Sequence, residues 1–347
     1  MASSNVTVLV AGSWGTALAC VLADNGHRVK IWTRGTQQAD EINTERTNRK
    51  YLKEAALPEA LTATTDLAEA LADAEAVVFV APSSATREIA RLAAPHIGPE
   101  ALIVHATKGF ETGSLKRMSQ VLSEELGREE GQIVVLSGPS HAEEVAVRLP
   151  TTVVVAATDL LQAEAAQDLF MNDAYFRVYT NPDPIGAETA GAIKNIIGLG
   201  AGLSDGLGFG DNAKAALVTR GLAEIGRLGS AMGAHMLTFA GLAGVGDLIA
   251  TCTSRHSRNY RAGELLAQGL GYEEVQSRIG MVVEGVRTTL AASKLAVQYG
   301  VEMPITSQLH AVLFEGKPPL QAVEALMGRV RTHEIEEAVL FNRSNPS

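Results

Sequence analysis

Short, largely apolar runs alternate with helix-period segments through the first half of the chain, and then the alternation stops. The apolar runs fall at residues 6–10, 29–32, 76–81, 101–106, 133–136, 152–156 and 176–179. Helical periodicity occupies 16–25, 66–71, 85–94 and 115–126, with Gly26 placed to end the first of these. Apolar strands separated by helices predict a mostly parallel sheet covered on both faces. After Asn181-Pro182-Asp183-Pro184 only helix-period segments and glycine-rich turns follow, such as Gly206-Leu207-Gly208-Phe209-Gly210-Asp211. The pattern predicts an α/β Rossmann-like domain over residues 1–181, followed by an all-α domain over 182–347.

One charge interrupts the most apolar helical segment. Between Glu188 and Asp205, Lys194 is the only charged side chain, and Ala190, Gly191 and Gly198 share its helical face. Burying a lone ammonium is costly. Two readings stand: a proton donor in a cleft that the glycines clear, or a lysine whose stem covers apolar surface.

At 347 residues two domains are the expectation, and 46% hydrophobic with 20% charged residues describes an ordinary globular chain. The formal net charge of −10 argues against a nucleic-acid or anionic-membrane surface, so any anion-binding charge must be local. Cys20 and Cys252 are too few for a disulfide framework, which fits a reducing cytosol. The N-terminus enters a strand without the basic region and cleavage pattern of a leader. No uninterrupted apolar run suggests a membrane span. A cytoplasmic protein with no membrane anchor is expected.

The first strand runs into Val10-Ala11-Gly12-Ser13-Trp14-Gly15. A Gly-rich strand-to-helix turn offers backbone N–H groups and a positive helix end to a pyrophosphate. The full fingerprint is GxGxxG, and here valine stands at the first glycine, where a β-branched residue resists positive φ. Gly12 and Gly15 retain the other two roles, close pyrophosphate approach and helix–strand packing. The second strand ends in Trp32-Thr33-Arg34-Gly35 rather than in an acid. Arg34 suits a 2′-phosphate, which permits NADP(H), while Asp40 and Glu41 further on remain candidates for ribose hydroxyls.

Other polar residues stand at the carboxyl ends of strands, where an open α/β sheet binds its ligands. Lys108 follows the run ending at Ala106, and Ser137-Gly138-Pro139-Ser140-His141-Ala142 follows another. The latter reads as a phosphate- or cofactor-lining loop, because no GxSxG elbow occurs. Further on, Asp247 precedes Thr251-Cys252-Thr253-Ser254-Arg255-His256-Ser257-Arg258-Asn259, a segment that is either an anion grip or a solvated interhelical loop. Asp247 itself would serve to hold Lys194 or to cap a helix. Neither HExxH, zinc-type cysteine spacing nor a GxxxxGK[ST] loop is present, so metal ligation and NTP hydrolysis are not expected.

Together these blocks resemble the bacterial NAD(P)-dependent glycerol-3-phosphate dehydrogenases. The similarity runs through residues 11–18, 107–109, 136–144, 191–210, 244–259 and 282–287. The resemblance implies a Rossmann-like domain joined to a helical substrate domain, commonly a homodimer. It implies reversible reduction of dihydroxyacetone phosphate to sn-glycerol 3-phosphate with NADPH or NADH, supplying glycerophospholipid synthesis. By it Lys194 is the catalytic acid and base. Substrate contacts fall on Lys108, Gly138, Ser140, Asp247, Ser257, Arg258 and Asn259. Cofactor contacts fall on Gly12, Ser13, Trp14, Gly15, Arg34, Lys108, Ala142, Arg258, Val282 and Glu284, of which Val282 and Glu284 carry no signal of their own. Val10 departs from the family's glycine. A hydroxyacid dehydrogenase of similar plan, with Arg258 and Asn259 serving a carboxylate, and a non-catalytic dinucleotide sensor are the alternatives.

Overall fold

The computed structural model describes residues 3–53 and 55–331, so the last part of the expected helical domain, 332–347, lies outside the described residues. Eight strands form one sheet: β1 Asn5–Leu9, β2 Arg28–Trp32, β3 Leu61–Thr64, β4 Ala76–Phe79, β5 Leu102–His105, β6 Ile133–Ser137, β7 Thr151–Ala156 and β8 Phe176–Asn181. Their order is β3-β2-β1-β4-β5-β6-β7-β8, parallel throughout except where β6 meets β7. Between them run α1 Ser13–Asp24, α2 Thr36–Glu45, α3 Leu67–Leu71, α4 Thr86–Ala93, α5 Met118–Leu126, α6 Ala142–Ala146 and α7 Leu160–Phe170. The mostly parallel α/β sheet is the expected one. Strand β3 was not expected. It lies at the sheet edge with Leu61 and Ala63 buried and Thr62 exposed, so its four residues show only half an apolar signal.

Helix α5 starts at Met118, three residues later than its periodicity suggests. Residues 111–116 form a turn in which Leu115 N–H donates to Glu111 O at 2.7 Å and Leu115 takes φ 63°. Leu115 therefore leads into the helix rather than belonging to it.

After β8 the described chain is helical: α8 Pro184–Gly206, α9 Asp211–Ala231, α10 Met236–Phe239, α11 Asp247–Thr253, α12 Arg258–Ala267, α13 Tyr272–Ile279, α14 Glu284–Tyr299, α15 Pro304–Phe314 and α16 Pro319–Met327. Asp183 caps α8 by accepting from Gly186 N at 2.8 Å. Residues 186–204 of α8 are all buried, as befits a helix apolar on every side. It is the axis around which α9, α11, α12 and α14 pack. An added Cβ at Gly202 would stand 1.8 Å from Tyr260 O, and one at Gly263 would stand 2.1 Å from Leu199 O. The two backbones of α8 and α12 touch only because both positions lack a side chain.

A buried carboxylate fixes α8 to the sheet. Glu188 accepts from Arg117 Nη1 at 2.6 Å, from Ser119 N at 2.8 Å and from Ser119 Oγ at 2.7 Å. His105 Nε2, at the end of β5, lies 3.2 Å from its Oε1. Burial alone would raise this carboxyl, but His105, Arg117 and Ser119 outweigh it and hold the pKa down to about 2.

Removing one member of a buried pair strands the other charge, at a cost of about 3–5 kcal/mol. Glu188→Ala is therefore expected to lose about 3 kcal/mol in urea unfolding at pH 7, and an unchanged midpoint would refute the clamp. The folded-state pKa is depressed, so this stabilisation is present above the ordinary glutamate value of 4.5 and is lost as pH falls towards 2. Parent and Glu188→Gln unfolding free energies should converge over that window.

Candidate active site

Because β1, β2, β4, β5 and β6 are parallel, the turns that follow them open on one edge of the sheet. Gly12, Arg34, Ser83, Lys108 and Gly138 thus come from five different connections to a single crevice. The strand order reverses between β1 and β4, where such sheets bind dinucleotides.

Val10 sits at φ 87° in the turn after β1. The expectation was that valine resists this conformation, yet the chain adopts it. Its N–H donates to Trp32 O at 3.1 Å, extending the β1–β2 ladder, and its carbonyl lies against Gly15. An added Cβ at Gly15 would come 2.1 Å from Val10 O. Gly12, the N-cap of α1, makes no side-chain cap, and an added Cβ there would have nothing within 4 Å. The first turn of α1 therefore starts without a side-chain cap and beside open space at Gly12. This uncapped, glycine-floored helix start fits a dinucleotide pyrophosphate. Ser13 Oγ donates to Tyr51 O at 3.0 Å. Trp14 packs against the sheet core with its indole N–H buried and unpartnered.

Lys194 is in a cleft of partners, not snorkelling. Its Nζ donates to Asp247 Oδ1 and, at 2.8 Å, to Thr251 Oγ1. Lys108 Nζ donates to the other oxygen, Asp247 Oδ2, at 2.7 Å and to Gly138 O at 3.1 Å. One buried carboxylate thus joins a lysine from the sheet edge to a lysine from α8. Burial lowers the Lys194 pKa, Asp247 pulls it back up and Lys108 lowers it again, leaving it at about 8. Asp247 is held below the ordinary carboxylate range by the two lysines, although burial opposes them. The flanking glycines make room for these neighbours. A Cβ at Gly198 would meet Thr251 Cγ2 at 2.7 Å, and one at Gly191 would meet Ser137 Oγ at 3.0 Å.

Ser140 Oγ donates to Gly138 O at 2.9 Å beside this cluster, and Ala142 opens α6. Neighbouring His141 contacts Ala250 O at 3.2 Å, and burial presses its pKa down, so it is neutral at pH 7. Burial pushes the Cys20 and Cys252 thiols up to about 12, so neither acts as a nucleophile near neutrality.

The second group gathers around the start of α12. Ser257 caps that helix through Tyr260 N at 3.2 Å, and Arg258 Nη1 donates to Val282 O at 3.3 Å. Asn259 joins three helices: Nδ2 donates to Asn195 Oδ1 and Oδ1 accepts from Gly285 N, both at 2.8 Å. Glu284 accepts from Ser83 N at 3.2 Å and Ser83 Oγ at 2.8 Å, with Arg258 among its charged neighbours. Burial raises the Glu284 carboxyl against those bonds. The two groups meet along α8, where Lys194 serves one and Asn195 the other. Arg34 stands apart at the end of β2, paired with Glu88 at 2.8 Å.

Ser83 and Asn195 escaped the reading of the sequence, and Thr251 was read only as a hydroxyl of the anion segment, not as a partner of Lys194. Each is an ordinary small polar residue whose role comes from a neighbour distant along the chain. The segment Met236–Thr253 has the length and mean hydropathy of a membrane span, but Asp247 interrupts its apolar run. It is broken into α10, a π-helical turn at Leu242–Gly246 and α11, and it carries Asp247 into the site.

Comparison with known proteins matches both parts of the chain. The model for the NAD-dependent glycerol-3-phosphate dehydrogenase N-terminus fits residues 5–163, and that for the C-terminus fits 183–324. The glycerol-3-phosphate dehydrogenase [NAD(P)+] of Geobacillus thermodenitrificans is 57% identical over 96% of this chain and 97% of its own. That of Enterococcus faecalis is 58% identical over 93% and 95%. The crystal structure of glycerol-3-phosphate dehydrogenase from Coxiella burnetii superposes with a TM-score of 0.89 at 41% identity, over 94% of this chain and 99% of that one.

The two turn glycines make separable predictions. Gly12→Ala should leave the melting temperature of the unliganded protein within about 2 °C, since a Cβ there is open to solvent, yet weaken NADH binding at least tenfold. Gly15→Ala forces the Val10 carbonyl to move and should lower both. Calorimetric melting and NADH fluorescence titration distinguish the two patterns, and undiminished NADH binding by Gly12→Ala would remove the pyrophosphate from this turn.

Proposed function

The chain belongs to the NAD-dependent glycerol-3-phosphate dehydrogenase family, and from that membership we propose that it reduces dihydroxyacetone phosphate reversibly to sn-glycerol 3-phosphate with Lys194 as the proton carrier. The observation that carries the role of Lys194 is its junction with Asp247, Thr251 and Lys108, buried where the sheet edge meets α8. In this reading the part through residue 181 holds the dinucleotide and the part from 182 onward encloses the substrate. The dinucleotide, NADH or NADPH, supplies the hydride when bound.

Lys194 donates a proton to the ketone oxygen in reduction and recovers it in oxidation. Asp247 orients its ammonium and favours the charged form. Lys108 adds a second positive charge, so the cluster carries a net +1 where negative charge develops on oxygen. Gly138 and Ser140 line the approach. The first turn of α12, with Ser257, Arg258 and Asn259, holds the substrate phosphate. The amide of Asn259 already binds Asn195 and Gly285, so its contribution is mainly to place that turn. Ser13, Trp14, Ala142, Val282 and Glu284 line the dinucleotide's path, with Arg34 at its adenosine end. The same reading includes a cytoplasmic homodimer that supplies glycerophospholipid synthesis.

Initial rates of dihydroxyacetone phosphate reduction with NADH and NADPH in parallel, against a 2-keto acid control, test the reaction. Turnover of the keto acid alone would overturn it. Lys194→Ala should lose about 10²–10⁴-fold in kcat while still binding NADPH. Because Lys194 titrates at about 8, the reduction rate should fall and the oxidation rate rise as pH increases through that value. Asp247→Asn removes the group that raises this pKa and should move both limbs to lower pH. A pH profile that Asp247→Asn leaves in place would take the proton away from Lys194.

A further inference from the structure

The end of β2 lacks the acid that usually receives adenosine ribose hydroxyls, and the structure places one there from another element. Glu88, in the first turn of α4, reaches across the crevice to Arg34, with Oε1 2.8 Å from Nη2. Both side chains are more than half exposed, at 57% and 61%, so the pair is open to a ligand. The guanidinium also lies 6.0 Å from the Trp32 ring centroid, against the last residue of β2.

The other candidates are committed. Glu41 Oε1 accepts from Thr47 Oγ1 and from Arg49 N, both at 2.8 Å. Asp40 is out on the exposed side of α2. Gln38 bonds to Thr33, Ala11 O and Asn48. Among the described residues, the Arg34–Glu88 pair is the charged contact between the β2 end and α4.

We propose that Arg34 and Glu88 form a two-way cofactor selector: the Glu88 carboxylate accepts the hydroxyls of an unphosphorylated adenosine ribose, and Arg34 takes a 2′-phosphate when one is present. The inference rests on the dehydrogenase reading above. Glu88 uses one oxygen on one guanidinium nitrogen, so the second oxygen is free to accept and the remaining N–H donors of Arg34 are free to bind phosphate. An exposed ion pair contributes little by itself, so either ligand displaces it cheaply. Glu88 opposes the phosphorylated cofactor, because its charge stands beside an incoming dianion and occupies part of the guanidinium. The same charge favours the unphosphorylated one. A single pair thereby admits both dinucleotides, and neither with the full affinity that a dedicated acid or a free arginine would give.

The test is direct titration of nicotinamide fluorescence with NADH and NADPH, which needs no turnover. Glu88→Gln is expected to lower the ratio of the NADPH to the NADH dissociation constant about tenfold, equivalent to about 1.4 kcal/mol. Glu88→Ala should act in the same sense, and Arg34→Gln should move the ratio the opposite way. A ratio that changes less than threefold in both Glu88 variants, or moves towards NADH, overturns the selector. A parent protein that binds neither dinucleotide overturns the dehydrogenase reading and the selector with it; a parent that binds both while the ratio stays fixed overturns the selector alone.

Discussion

Two ammonium groups share one buried carboxylate at the centre of this molecule, and the surrounding architecture serves that arrangement. Asp247 alone would be costly to bury, as would Lys194. Together with Lys108 and Thr251 they satisfy one another and leave one unit of positive charge in a place of low dielectric. The three charged groups come from the end of the sheet, from the middle of α8 and from the start of α11. The site therefore exists only when the sheet and the helical part are in contact.

Glu188 enforces that contact with the opposite sign of charge. It lies on α8 six residues before Lys194, and it meets His105, which ends the strand that leads to Lys108. The same strand and the same helix are thus joined twice, once by a buried carboxylate on the helix and once through Asp247. Two fixed points on one helix remove both sliding along its axis and rotation about it. Lys194 keeps its position because its helix has nowhere to move, which is what general acid catalysis asks of its donor.

Much of the fold was legible because burial on both faces writes a plain signal: apolar strands, separated by helices, then helices alone. Strand β3 was lost because its four residues, Leu61 to Thr64, offer only two apolar side chains, one of them a small alanine. Lys194 and Asp247 were visible as charges in apolar surroundings, a pattern that burial makes expensive and hence informative. Their junction was one of two readings of Asp247, a holder of Lys194 or a helix cap, and only the fold, which brings together residues 53 apart in the chain, decides between them. Ser83 and Asn195 left no trace, and Thr251 showed only as one hydroxyl of the anion segment. Small polar residues are common, and only packing gives these three their partners: α8 against α11 and α12 for Thr251 and Asn195, and the turn after β4 against the start of α14 for Ser83. The anion segment was half legible. Its composition left a grip and an interhelical loop both open, and the amide of Asn259 ties helices together.

Val10 shows why a local rule can fail without the structure failing. A β-branched residue at positive φ costs about 1–3 kcal/mol, and such strain persists only where surroundings over-determine the backbone. Here they do. The Val10 N–H is fixed by the β1–β2 ladder, and its carbonyl is fixed by the close approach of α1 at Gly15. The side chain packs against the cluster containing Trp32, Phe79 and Ala81, which offsets part of the cost. The dihedral is thus set by the elements before and after it rather than by the residue that adopts it. Glycine at this position relieves strain, but the turn does not need glycine to form. The close approach at Gly15 is different, because no rearrangement of a side chain can make room for a Cβ against a carbonyl oxygen. Of the fingerprint positions, the ones that cannot be replaced are those where the backbone is approached by another atom, not those where it merely turns.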